Sequence, residues 1–352
     1  MKSKRQIMSG KILVSFLLLS IACVSYYSNA QQLSTPLGYM EYISAEFKNV
    51  QKDTWDYTRA VAKNKSARKV ENRRKDLLAT INTAIGKIKR LKGFNGDSSY
   101  RDSCVSFLQI NKAVIDHDYA RIMQLEEIAE QSYDNMEAYM LAQQKADEIL
   151  QEAGEQVELQ EKAFAAAHQI NLVESQDKIT KKLQQSSRVY AYYNKIYLIF
   201  FKSYKQEAYL IAATIKGDIN GMEQNKNSLL KFSTDGLEQL KDIGSFDGDA
   251  SLKMAAIQIL NFYKDEAGKT YPAIIDFQLK KDNFEKATKT MKNSGSKNHS
   301  KEEADAFNKA VKEYNQSVND VNQKNNMLNE TRSRQLDNWN SKNENFTSSH
   351  IG

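Results

Sequence analysis

The sequence predicts an all-α protein built from two tandem, internally repeated helical bundles. Apolar residues recur every three or four positions along most of the chain, which is the spacing of one helix face, and strand-like alternation is absent. Only two prolines, Pro36 and Pro272, occur in the 352 residues. Residues 94–99, Phe-Asn-Gly-Asp-Ser-Ser, return 152 positions later as Phe-Asp-Gly-Asp-Ala-Ser at residues 246–251. Because an internal repeat sets the architecture, we expect two versions of one helical unit.

The repeat extends on both sides of this motif without a gap and defines the expected domain boundaries. Apolar positions such as Leu77 and Leu108 in the first copy match Leu229 and Leu260 in the second. We predict a signal peptide at residues 1–30, a first helical repeat at 31–172, a seam at 173–186, a second helical repeat at 187–340 and a disordered tail at 341–352.

The N-terminus has the three parts of a secretory signal peptide. Lys2, Lys4 and Arg5 form a basic start, an apolar run follows at residues 12–24, and Ser28-Asn29-Ala30 supplies small residues for cleavage. We predict cleavage after Ala30. The mature chain is then expected in the periplasm or at the cell surface.

Two other fates of this segment stay open. Lipidation of Cys23 would give a surface lipoprotein of the outer membrane; Ala22 suits such a site, whereas Ser20 stands where a bulky aliphatic residue is usual. An uncleaved anchor is disfavoured, because the apolar run is shorter than the ~20 residues that a membrane span needs.

The charge of the chain argues against a nucleic-acid partner. The formal net charge is +6, and four basic groups lie in the leader, so the mature chain is near +2 with charges of both signs interspersed. The basic clusters at residues 63–75 are interpreted as a solvated helix junction, and contact with an acidic surface polymer or a lipid headgroup is the alternative. The expected partner is a protein or an envelope polymer, with membrane contact only through lipid on Cys23.

Each repeat is predicted to begin with an aromatic-rich helix, at residues 39–57 and 190–209. An amphipathic helix, the glycine-containing turn and another helix follow. The first copy then continues in a helix from Tyr119 to about His168. The second copy continues in a helix that starts near Pro272, and a long polar helix ends at about Trp339. The face of the first amphipathic helix is formed by Leu77, Leu78, Ile81, Ala84, Ile85, Ile88 and Leu91.

The turn between the helices invites a calcium interpretation. Asn95 and Asp97 have the alternate spacing with which calcium loops begin. However, Tyr100 stands where such loops need glycine, and Ser106 stands where they need glutamate. We therefore predict that Gly96 supplies an unusual backbone conformation and that Asp97 caps the following helix, with the same roles in the second copy.

The best candidate for a partner surface is a stripe of tyrosines. Tyr193, Tyr197, Phe200 and Tyr204 lie at spacings of four, three and four residues, which places them on one helix face. Such a stripe usually belongs to a core. The functional alternative is a groove in which Tyr193, Tyr197 and Tyr204 contact sugar rings or a partner helix.

The sequence contains no recognisable motif for catalysis, a cofactor or a metal. Cys104 falls among apolar residues of a predicted helix, and the second copy has Ala256 at that position, so we interpret it as a packing residue. The four histidines lack the partners of helical metal sites. We predict no catalytic residue, no cofactor and no metal site. An enzyme with an unrecognised site between the repeats is the alternative from another class.

The combination of leader, paired helical repeats and Asn/Lys-rich helices resembles exported envelope and surface proteins of Bacteroidetes-type bacteria. The Ala30-Gln31 junction is similar to cleavage sites in that group. The resemblance implies an envelope location and transfers no catalytic residue. The predicted function is that of an exported, non-enzymatic binding or scaffolding protein of the bacterial cell envelope.

Overall fold

The computed structural model describes residues 32–63, 65–118, 128–172, 178–293 and 300–351. Within these ranges the regular structure is helical, and β-structure is limited to two isolated bridges. This confirms the all-α prediction. The chain divides into two compact units, Met1–Asn194 with Asn345–Gly352, and Lys195–Glu344.

In its described residues before Leu172, the first unit contains a short 3₁₀-helix, Gln32–Ser34, followed by α-helices. These are α1 (Pro36–Ala62), α2 (Ala67–Lys89), α3 (Ser99–Ala113) and α4 (Tyr133–Ala167), and α3 continues into a π-helical turn, Val114–Asp118. Helix α1 packs on α2, α2 on α3, and α3 on α4. Fully buried side chains of this unit include Ile43, Leu77, Ile81, Ala84, Ile88, Cys104, Leu108, Leu150 and Val157.

The second unit begins inside helix α5 (Lys178–Lys216). It continues with α6 (Ile219–Lys241), α7 (Ser251–Asp265), a π-helical turn (Glu266–Thr270), α8 (Tyr271–Asn293) and most of α9 (Lys301–His350). Aromatic rings join these helices: Phe200 of α5 stacks on Trp339 of α9 with centroids 4.2 Å apart. No helix in the described ranges is both long enough and apolar enough to cross a membrane.

The helix bounds of the two units recur at the spacing of the sequence repeat. Each bound of α6, α7 and the second π-helical turn lies 152 residues after the corresponding bound of α2, α3 and the first π-helical turn. The three-dimensional equivalence of the units stays a prediction.

The turns before α3 and α7 have the conformation that their glycines indicate. Gly96 and Gly248 both have φ = 88°, a region that favours glycine. The Oδ1 of Asp97 accepts a hydrogen bond from the backbone N–H of Ser99 at 2.8 Å, and Asp249 accepts from Ser251 at 2.7 Å. Hydrogen bonds from the side chain of Ser99 and then from its backbone N–H lower the pKa of Asp97. The two aspartates lie one residue before the N-caps, Ser98 and Ala250, and each accepts from an N–H of the first helical turn.

The predicted disorder of residues 341–352 is wrong for most of that segment. Helix α9 continues to His350. Trp339, Asn343, Phe346 and Thr347 are buried and lie at spacings of three or four residues, so the helix has a packed face here. Two of these four buried residues, Asn343 and Thr347, are polar, so the sequence alone predicts a polar tail.

The predicted seam and the predicted start of the second repeat also differ from the structure. Residues 173–177 lie outside the described residues, and residues 178–186 belong to the continuous helix α5. The units divide after Asn194, within that helix, and the last eight residues group with the first unit. A unit boundary inside an unbroken helix lacks the proline, glycine or polar linker by which domain boundaries are predicted from sequence.

Candidate binding site

A polar pocket of about 260 Å³ lies between helices α1 and α2 of the first unit. Two sets of side chains line it, and in each helix three of them follow spacings of three and four residues, which place them on one face. Helix α1 contributes Glu46, Asn49, Lys52 and Asp53, and helix α2 contributes Thr80, Thr83 and Lys87.

Two carboxylates form the least exposed part of this pocket. The side chain of Glu46 is 10% exposed and that of Asp53 is 22% exposed. Lys87 Nζ donates to Glu46 Oε1 at 2.8 Å, and Thr80 Oγ1 donates to Asp53 Oδ2 at 2.5 Å. The hydrogen bond to Glu46 raises the pKa of Lys87 above its ordinary value. The carboxylates are therefore held in place by side chains of the facing helix.

The ammonium groups lie nearer to solvent. The side chains of Lys52 and Lys87 are 67% and 45% exposed, and Lys52 Nζ lies 3.8 Å from Asp53 Oδ1. The two lysines balance the two carboxylates, so the lining as a whole is close to neutral. Such a pocket offers charged donors at its rim and charged acceptors deeper inside.

The positions 152 residues later have a different chemistry. These positions lie on α5 and α6 at the same spacings as the pocket residues on α1 and α2. Most of them hold aromatic or aliphatic residues. These positions hold Leu198, Phe201, Tyr204, Lys205, Phe232, Asp235 and Gln239. At the predicted repeat spacing, the polar set of the α1–α2 pocket is thus not kept.

The second unit contains a buried ionic cluster, formed by Glu207 of α5, Glu266 of the π-helical turn and Arg332 of α9. Arg332 Nε donates to Glu207 Oε1 at 2.5 Å, and its Nη2 donates to Glu266 Oε1. The side chains of Glu207 and Glu266 are 2% and 0% exposed, and that of Arg332 is 14% exposed. One guanidinium therefore joins three separate elements of the unit.

The charges in this cluster do not balance. Burial, followed by the charge of Glu207, raises the pKa of Glu266 well above its ordinary value. Burial opposes the charge on Arg332, but both carboxylates outweigh it and raise the pKa of the guanidinium. Burial and the same carboxylates raise the pKa of Tyr263. The cluster therefore favours a proton on Glu266 and fixes the helices around it.

The structure places two of the three predicted surface tyrosines in the core. Tyr193 and Tyr197 have no exposed surface, whereas Tyr204 is half-buried beside Phe200, at a centroid distance of 5.7 Å. A groove lined by all three rings is therefore not formed. Residues at this spacing share one helix face, and here that face packs into the core. This agrees with the interpretation that such stripes usually belong to a core.

The remaining candidates from the sequence carry no site in the described part of the chain. Cys23 lies outside the described residues. Cys104 is fully buried, and burial raises the pKa of its thiol, so it is a packing residue without a reactive thiolate. His168 packs against Phe164 with ring centroids 4.5 Å apart. Across the described ranges, no group of three or more His, Cys, Asp or Glu side chains is arranged to hold a metal ion.

Sequence reasoning missed both the pocket and the ionic cluster. The signal that could have found them is the difference between the two copies. Trp55 and Val114 stand 152 positions before Glu207 and Glu266. Such differences between the two predicted copies, apolar at one position and charged at the other, are the sequence signal for these side chains.

Comparison with known proteins gives no relative from which a function could be transferred. No protein family, no curated protein and no solved structure matches this chain.

Proposed function

We propose that this protein is exported and acts as a non-enzymatic binding or scaffolding component of the bacterial cell envelope. The observation that carries the binding role is the α1–α2 pocket, which charged and hydroxyl side chains of both helices line. The basic and apolar segments before Ala30 support the export. The partner is a protein or an envelope polymer.

Site-specific photocrosslinking in intact cells tests the binding role. A photoreactive residue replaces Asn49, which is exposed at the pocket, and a control replaces Lys241, which is exposed on α6. We expect a defined adduct from position 49 and none from position 241. Equal labelling from both positions, or labelling from neither, would contradict a binding role for this pocket.

The second candidate is a surface lipoprotein that does the same work at a membrane. Ala22-Cys23 is the observation that favours it. Mass spectrometry of the N-terminal peptide separates the two candidates. A peptide beginning at Gln31 supports cleavage after Ala30, and an acylated Cys23 supports the lipoprotein.

A further inference from the structure

We infer that the α1–α2 pocket binds a small zwitterion of the α-amino-acid class. The ligand ammonium group is directed at the carboxylates of Glu46 and Asp53, and the ligand carboxylate is directed at the ammonium groups of Lys52 and Lys87. This inference rests on the proposed binding function and specifies its ligand class.

The arrangement of charges favours a zwitterion over a simple ion. An anion attracted by the lysines would meet two carboxylates deeper in the pocket, and a cation attracted by the carboxylates would pass two lysines. A neutral polyol could form hydrogen bonds here, but it would gain nothing from separated charges of both signs. A ligand that carries both charges complements both parts of the pocket.

The volume of the pocket and the fixed position of a lining carboxylate fit a compact ligand. Its volume of about 260 Å³ lies below the roughly 300–1,000 Å³ typical of sites for drug-sized ligands. Thr80 holds the carboxylate of Asp53 before any ligand enters. The exposed lysine side chains can turn from their carboxylate partners towards a ligand carboxylate, because such partly exposed ion pairs are weak.

The contrast with the second unit supports the inference independently of the pocket's shape. Glu46 and Asp53 correspond to Leu198 and Lys205 at the repeat spacing, and Thr80 corresponds to Phe232. A partly buried carboxylate costs desolvation free energy that an apolar residue would avoid. At the predicted repeat spacing the carboxylates of Glu46 and Asp53 are not kept, which favours a role beyond helix packing.

Saturation-transfer difference NMR on the full mature chain tests this ligand class. The probes are L-alanine, sodium acetate, methylammonium chloride and glycerol at equal concentrations. We expect transfer to L-alanine above that to the other three. E46Q and K87Q each remove a charge-assisted contact and should weaken L-alanine binding about tenfold or more. K241Q, which changes an exposed lysine on α6, should leave binding unchanged.

Circular dichroism and Tm measurements verify that each variant is folded. Equal or stronger transfer to glycerol, acetate or methylammonium would overturn the zwitterion, as would no transfer to L-alanine or unchanged binding in E46Q and K87Q. If L-alanine fails while the residue at position 49 still captures a partner in cells, the ligand class is wrong and the binding function stands. If position 49 captures nothing while L-alanine binds as expected, the envelope partner is wrong and the ligand class stands.

Discussion

Arg332 is a largely buried arginine that pairs with two buried carboxylates. It bridges Glu207 and Glu266, both of which are buried, and its charge compensates the negative charge that this pair carries. Removing one partner from such a group leaves uncompensated charge in the interior. The stability of the second unit should therefore depend on this one guanidinium.

We predict that R332M lowers the free energy of unfolding of the second unit by about 3–5 kcal/mol. The measurement is urea unfolding followed by Trp339 fluorescence in a W55F background, which reports on the second unit through a tryptophan that belongs to it. R334M removes an exposed arginine two residues away and should change the free energy by less than about 0.5 kcal/mol. Similar losses in both variants would contradict the structural role of the cluster.

A companion variant separates loss of charge compensation from loss of packing. E207L/E266V/R332M replaces the whole cluster with apolar side chains, and 152 positions before Glu207 and Glu266 the sequence has the apolar residues Trp55 and Val114. Apolar replacements of buried ion groups are often neutral or stabilising by about 1–4 kcal/mol. A triple variant less stable than R332M would show that the ions themselves stabilise the unit.

The raised pKa of Glu266 makes a prediction about pH. Glu207, Arg332, Tyr263 and Tyr271 are the titratable groups around it, and burial favours its protonated form. A carboxyl whose pKa is higher in the folded state contributes its full stability below its unfolded pKa and loses it as pH rises through the folded pKa.

E266Q removes this titration, so its stability relative to wild type should increase as pH rises above about 4.5, with a slope of at most about 1.4 kcal/mol per pH unit. Urea unfolding from pH 4 to 9 measures the difference. D265N, which changes an exposed neighbour, should run parallel to wild type. A difference between E266Q and wild type that stays constant or falls with pH would contradict the raised pKa.

At the scale of elements, the turn before α7 requires glycine at one position and tolerates alanine at another. Gly248 has φ = 88°, whereas Gly244 lacks a positive φ and has open space where a Cβ would be. G248A should therefore lower the free energy of unfolding by about 1–2 kcal/mol. G244A should be neutral or slightly stabilising. Equal effects in the two variants would show that the positive φ does not set the stability of this turn.

The final segment of α9 gives another test, because the sequence and the structure disagree there. Phe346 is 1% exposed, and its ring lies 5.5 Å from that of Tyr192. F346A should destabilise the first unit by about 3–5 kcal/mol, as buried Phe-to-Ala changes do. K342A changes an exposed residue one turn earlier and should cost less than about 0.5 kcal/mol. Trp55 fluorescence in a W339F background measures the free energy of unfolding of both variants. If F346A lowers it no more than K342A does, the segment is not packed and the prediction of a disordered tail is correct.

At the scale of the whole molecule, periodicity predicted most of the helices because each has an apolar face with the helical spacing. The turns at Gly96 and Gly248 were also predictable, since their backbone requirement is local. The last segment of α9 was not, because Asn343 and Thr347 are buried there in place of apolar residues.

The sites were harder to predict than the fold. The hydrogen bonds of the pocket join side chains that are 27 and 41 residues apart in sequence, and Arg332 reaches a carboxylate 125 residues away. No local pattern marks such pairings. The two sites are found when the charged residues whose counterparts in the predicted repeat are apolar are located in the structure.

The most direct test of an exported envelope protein is the intact mass of the chain recovered from fractionated native cells. We predict that it is found in the envelope or periplasmic fraction with residues 1–30 removed, so that it begins at Gln31. A chain recovered from the cytosolic fraction with its leader still attached would contradict export and, with it, the proposed site of action.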